Sequence, residues 1–131
     1  MAWIAMRRRH YTPELANRSL PLVKRIAADI QQVAREVARK AHALQERRGE
    51  RQRLQDEIEA LRQRFGELLA ELQELGVELK DPMTGLLDFR AMRDGQEVYL
   101  CWRLGEEAVD HWHSLEGGFA ARQPIEASWV G

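Results

Sequence analysis

Apolar positions recur at spacings of three and four from Val23 through Ile26, Ile30, Val33, Val37, Ala41 and Leu44. The pattern resumes after Gly49 with Leu54, Ile58, Leu61, Phe65, Leu68, Leu72 and Leu75. Both runs are heptad seams with the narrow apolar stripe of coiled-coil helices. Thr12-Pro13-Glu14 is a helix start: a hydroxyl N-cap, proline at the first helical position and an acid near the positive dipole end. Gly76 supplies a stop. The pattern predicts helices over about 13–47 and 50–75.

The joint between these helices remains open from the residues alone. Counting sevens from Val23 carries the phase through Arg51, Ile58, Phe65 and Leu72, as one rod would. Lys40, Arg47 and Arg51 would then occupy seam positions in succession, and a polar stretch around Gly49 fits an αα-hairpin better. In the hairpin, Leu75 lies near Leu22 or Val23, so residues 13–21 overshoot the second helix. Pro21 removes one backbone bond there, and the overshoot carries Glu14 and Asn17 over whatever follows. A lone pair of helices buries little surface, which predicts a homodimer with four helices.

Beyond Gly76 the period changes to two. Leu86–Phe89 and Glu97–Leu104 read as strands joined through Asp94-Gly95, a tight-turn signal. A two-residue loop places Leu87, Phe89 and Ala91 opposite Trp102, Leu100 and Val98 on a core face. Asp88, Arg90, Tyr99 and Cys101 then share the other face. A short helix is predicted over Glu106–Leu115, before Gly117-Gly118. The fold class is therefore α+β, mostly α: a long antiparallel helical hairpin, a small antiparallel β layer and a short C-terminal helix. The chain divides into a flexible 1–11, a hairpin over 12–76, the small layer over 77–119 and a loose tail over 120–131.

Composition narrows the classes. The 131 residues are 44% hydrophobic and 31% charged, and no apolar run reaches the length of a membrane span. One cysteine, Cys101, excludes an internal disulfide framework and a cysteine-only metal cage, and makes a cytoplasmic location the default. Residues 1–48 carry a charge balance of +7 and residues 49–131 one of −8. Packing of the two parts explains that asymmetry better than a nucleic-acid surface, because few aromatics interleave the basic residues. The basic Met6–His10 stretch reads as a flexible end.

Tyr11-Thr12-Pro13-Glu14-Leu15-Ala16-Asn17, Leu75–Pro82, Gly85-Leu86-Leu87-Asp88-Phe89 and Val98–Glu106, followed by Trp112-His113 and Gly118-Phe119, resemble one bacterial family of unknown function. The resemblance runs over about 11–124. It implies no activity, and it points to the two ends of the chain, not the helical middle, as the distinctive part. Two positions depart from the family's pattern: Arg90 stands where proline is usual, which puts the two-residue hairpin register in question. His111 stands where an aromatic is typical, which makes it a poor candidate for a shared site.

Glu106, Asp110 and His113 stand at i, i+4 and i+7, one face of the predicted short helix. With Glu14 arriving on the overshoot, the candidate metal ligands are Glu14, Glu106 and His113, joined by Asp88, Cys101 or Asp110. Carboxylate, imidazole and thiolate donors suit a divalent ion such as Zn, Mn or Fe, or a general acid/base pair. The bland reading has Glu106 capping the helix and His113 bonding a carbonyl. Cys101 in mid-strand reads as a buried hydrophobe, not a nucleophile, and Trp102 and Trp112 as core. No phosphate loop or Ser-His-Asp order is present. The leading expectation is an interaction or scaffold module that dimerises through its hairpin; the alternative is a small metal-binding protein or metal-dependent enzyme.

Overall fold

The computed structural model describes residues 10–46 and 48–129; the basic Arg7-Arg8-Arg9 end lies outside them. Two helices, α1 (Pro13–Glu46) and α2 (Arg51–Glu74), are joined by a 3₁₀ turn at Arg48–Glu50. They fold back on each other, so the hairpin holds and the continuous rod does not. Lys40, which the heptad count put at the seam's weak point, bridges the helices through a 2.7 Å bond to Glu57. The Thr12 hydroxyl accepts the Leu15 N–H at 3.1 Å, the cap that the sequence specifies. Gly76 closes α2 with φ 74°, a left-handed conformation that side-chain-bearing residues rarely adopt.

A five-stranded antiparallel meander follows in the order β1 (Val77–Asp81), β2 (Leu86–Arg93), β3 (Gln96–Arg103), β4 (His111–Ser114) and β5 (Gln123–Pro124). Leu87, Phe89 and Ala91 pair with Trp102, Leu100 and Val98 in the predicted register. Arg90 does not widen the loop: Asp94 and Gly95 make a two-residue turn with φ 51° and 80°, as a type I′ hairpin requires. These six side chains meet Val23, Ile26, Ile30, Leu68 and Leu72 in one core between hairpin and sheet. The seam is thus largely filled within a single chain.

Two expectations are corrected. No helix forms over 106–115; the chain turns after Gly105, runs extended and adds β4 to the sheet. The i, i+4, i+7 spacing was a coincidence of composition. The decisive pattern is the alternation of His111, Trp112 and His113, in which Trp112 pairs with Leu100 toward the core and His113 pairs with Tyr99 on the other face. The segment expected as a loose tail packs as a strap. Ile125 donates its N–H to the Asp110 carbonyl at 2.8 Å, Glu126 holds Arg93 at 2.7 Å, and Trp129 lies edge-on to Trp112 at 6.1 Å.

The overshoot of α1 is present. Asn17 accepts the Val109 N–H at 2.8 Å and donates to the Val109 carbonyl at 3.0 Å, locking the start of α1 onto the segment leading into β4. Tyr11 extends the sheet beside Ala91, its N–H bonding the Arg90 carbonyl at 2.7 Å. Among the described residues no helix is long and apolar enough to cross a membrane.

Candidate functional site

On the sheet face turned away from the helices, a row of paired positions runs Glu78–Asp88–Cys101–His111 across β1 to β4. Beside it, Arg90 pairs with Tyr99 and Tyr99 with His113. A half-exposed antiparallel sheet normally carries exposed polar groups there. Here Asp88 is 3% exposed, Cys101 1% and His113 2%. Buried carboxylate, thiol and imidazole in contact need a physical account, since each costs free energy to desolvate.

One ligand atom from each of these three lies within 4.8 Å of the other two. The His113 Nε2 is 3.0 and 3.1 Å from the two Asp88 carboxylate oxygens. Its Nδ1 is 2.7 Å from the Ser114 carbonyl oxygen, while the Gly118 N–H approaches the same nitrogen at 3.2 Å. A carbonyl oxygen only accepts, so the shorter contact assigns a proton to Nδ1. The other ring nitrogen, Nε2, is turned toward the two carboxylate oxygens of Asp88. A proton shared between the ring nitrogen and the carboxylate satisfies this contact, and a metal ion in its place would satisfy it too.

The charges of the group are shifted accordingly. Burial pushes the Asp88 carboxyl above the usual range, although the adjoining His113 pulls it back. Burial, reinforced by Asp88, raises the Cys101 thiol to about 12, with Arg122 opposing. A thiol so raised is no nucleophile on its own; it becomes a thiolate only where a cation replaces its proton.

Asp88 and His113 also line a cleft of about 240 Å³ with Lys80, Leu86, Tyr99, Leu115, Glu116, Gly118 and Phe119. Cys101 does not line it. Glu78, half-buried beside the cleft, accepts from Tyr99 and Lys80 at 3.0 Å each and from Arg90 at 3.1 Å. Burial acts to raise the Glu78 carboxyl, but these donors prevail and hold it below the usual range.

The sequence-level candidates are therefore divided. Asp88, Cys101 and His113 come together. Glu106 lies with Asp110 and His111 in a second, more exposed group. Glu106 is already committed, accepting from the Arg103 N–H at 2.7 Å and from Arg122 at 2.9 Å, so a cation there would face a guanidinium. It caps a turn, not a helix. The His111 Nδ1 is 2.6 Å from Asp110 without hydrogen-bond geometry. Glu14 joins neither group; it sits exposed and paired with Arg18 at 2.9 Å. The residue that brings α1 to this end of the molecule is Asn17.

Residues 9–125 match the profile of a family described as an uncharacterised conserved protein (DUF2203). No curated protein and no solved structure matches the chain.

Proposed function

We propose that this chain, which belongs to the DUF2203 family of uncharacterised conserved proteins, is a small metal-binding protein whose ion is held by Asp88, Cys101 and His113. The observation that supports this reading is the orientation of His113. Its Nδ1 is turned to the Ser114 carbonyl, as a metal-ligating histidine commonly turns its other ring nitrogen, and its Nε2 faces the Asp88 carboxylate, with a Cys101 ligand atom within 4.8 Å of the group. The three donors stand on three adjacent strands, a rigid frame for first-sphere ligands.

Donor chemistry selects the ion. Thiolate and imidazole favour Zn²⁺ or Fe²⁺ over Mn²⁺, which prefers an all-oxygen shell. Three protein ligands would leave a position for a further ligand on a four-coordinate ion, and two of the three, Asp88 and His113, line the cleft. Binding exchanges protons for metal: the proton between Asp88 and His113 and the thiol proton of Cys101 both leave. A buried, unpaired cysteine of this kind suits a reducing, cytoplasmic setting.

Co²⁺ substitution tests the proposal. A thiolate-to-cobalt charge-transfer band in the near ultraviolet, absent from Cys101→Ser, is expected. Cobalt that binds without that band would refute the ligand set.

The scaffold reading, a hairpin dimerising through its seam, ranks second. Exposed Leu22 supports it, but Val23, Ile30, Leu68 and Leu72 are already covered within the chain. Sedimentation equilibrium at micromolar concentration distinguishes a four-helix dimer from a self-sufficient monomer.

A further inference from the structure

We infer that residues 118–129 form a strap that lifts off the sheet to open the Asp88–Cys101–His113 group; its use as the route by which an ion enters rests on the metal-binding reading above. Among the described residues both long helices pack on the other face of the sheet, and on the outer face Arg90 and Arg103 stand exposed. Asp88, Cys101 and His113 share that outer face, yet all three are almost wholly buried. What covers them is the chain itself. After β4 it turns over residues 114–117, where the Gly117 N–H bonds the Ser114 carbonyl at 3.1 Å, and doubles back. A Cβ on Gly117 would lie 3.7 Å from the His113 Cβ, and the Gly118 N–H lies 3.2 Å from the His113 Nδ1. Phe119 follows, its ring centroid 4.7 Å from the Arg103 guanidinium carbon and 4.1 Å from that of Arg122. Arg103 and Cys101 are two apart on β3 and so point to the same face. Burial raises the Cys101 thiol and Arg122 opposes it, so the arginine of the strap lies within reach of the sulfur.

The cover is held more weakly than what it covers. Both long helices and β1 to β4 each contribute buried residues, whereas residues 115–129 contribute none. Segments poor in buried apolar contacts open locally, below the free energy of global unfolding. The strap is fastened at its far end. There β5 pairs two residues with β4, Glu126 bonds Arg93 at 2.7 Å in a partly exposed pair, and Trp129 packs edge-on to Trp112. The Arg93 guanidinium carbon is 4.3 Å from the Trp112 ring centroid and 5.7 Å from that of Trp129, so one cation ties both indoles and Glu126 together. The need for movement follows from the cleft, which Asp88 and His113 line but Cys101 does not. An ion or reagent arriving through the closed cleft therefore reaches two donors, and the third only after the strap lifts.

Alkylation of Cys101 by N-ethylmaleimide in the chelator-treated, native full-length protein reads the opening. Trp129→Ala is expected to label about tenfold faster than the parent protein and Glu126→Gln about threefold faster, because each raises the population of the open strap. Asn17→Ala lowers global stability without touching the strap, and its labelling rate should not change. In zinc-loaded protein the two strap variants should speed zinc release to a chelator by similar factors, at an unchanged one ion per chain. Glu126→Gln, which removes only an ion pair, carries the test if Trp129→Ala does not fold. Labelling unmoved by the strap variants, or accelerated as much by Asn17→Ala, would overturn this inference, and zinc retained at one ion per chain would then leave the metal reading standing. Faster labelling of the strap variants in a protein that retains no zinc would uphold the strap and overturn the metal reading.

Discussion

The Asp88 carboxylate meets the His113 Nε2 at 3.0 Å with both side chains almost wholly removed from solvent. The two residues are 25 apart in sequence and sit on β2 and β4, separated by β3. His113 offsets part of the desolvation penalty of Asp88, although burial still prevails and leaves the carboxyl above its usual range.

That dependence predicts an asymmetry in the metal-free protein. His113→Ala leaves a buried carboxylate uncompensated and should cost about 3–5 kcal/mol in urea denaturation with chelator present. The double variant Asp88→Leu, His113→Leu removes both polar groups and should cost far less. Equal losses for the two variants would show that the pair is not mutually dependent.

Asn17 predicts a purely structural effect. Replacing it with alanine frees the N–H and carbonyl of Val109, which is 2% exposed. A loss of about 2–4 kcal/mol is expected from two unsatisfied buried groups. Zinc stoichiometry should not change, because Asn17 touches none of the three proposed ligands. Equilibrium denaturation with parallel metal analysis reads both quantities.

Glu106 sets a pH dependence. Burial favours its neutral form, but the Arg122 guanidinium and the Arg103 N–H outweigh this and lower its pKa in the folded protein. The unfolded chain therefore takes up the proton first as pH falls. The stabilisation is complete above the ordinary glutamate pKa of about 4.3 and is lost as pH falls through the lower folded value. Arg122→Gln should flatten the acid limb of a stability-versus-pH curve below that point and leave the neutral region's slope unchanged.

Cys101 predicts a reactivity pattern. With its pKa pushed up to about 12 and 1% exposure, the native thiol should resist alkylation at pH 8 and react fully once the chain is unfolded. Rapid labelling of the native protein, followed by mass spectrometry, would contradict the buried placement.

Much of this architecture was legible in residue order. Val23 to Leu44 and Leu54 to Leu75 announce the hairpin by their period, and Asp94-Gly95 fixes the register that puts Asp88 and Cys101 side by side. The residue pattern marks His113 as a candidate ligand on a helix, whereas the structure carries it on strand β4. The stretch from Glu106 to Leu115 has helix-compatible spacing, and β4 is only four residues long, held by pairing to β3. Tertiary pairing outweighs local propensity in so short a strand. The His-Trp-His alternation was the available signal. The overshoot of α1 points to Glu14 as its contribution to the site, yet Glu14 pairs with Arg18 in solvent and the side chain that faces inward one turn later is Asn17.

Zinc-edge X-ray absorption on protein loaded with one equivalent of Zn²⁺ tests the central claim most directly. A first shell with one sulfur at about 2.3 Å and nitrogen or oxygen donors at about 2.0–2.1 Å is the expected result, with the sulfur lost in Cys101→Ser. A shell of oxygen and nitrogen alone in the wild-type protein, or zinc removed by simple buffer exchange, would contradict it.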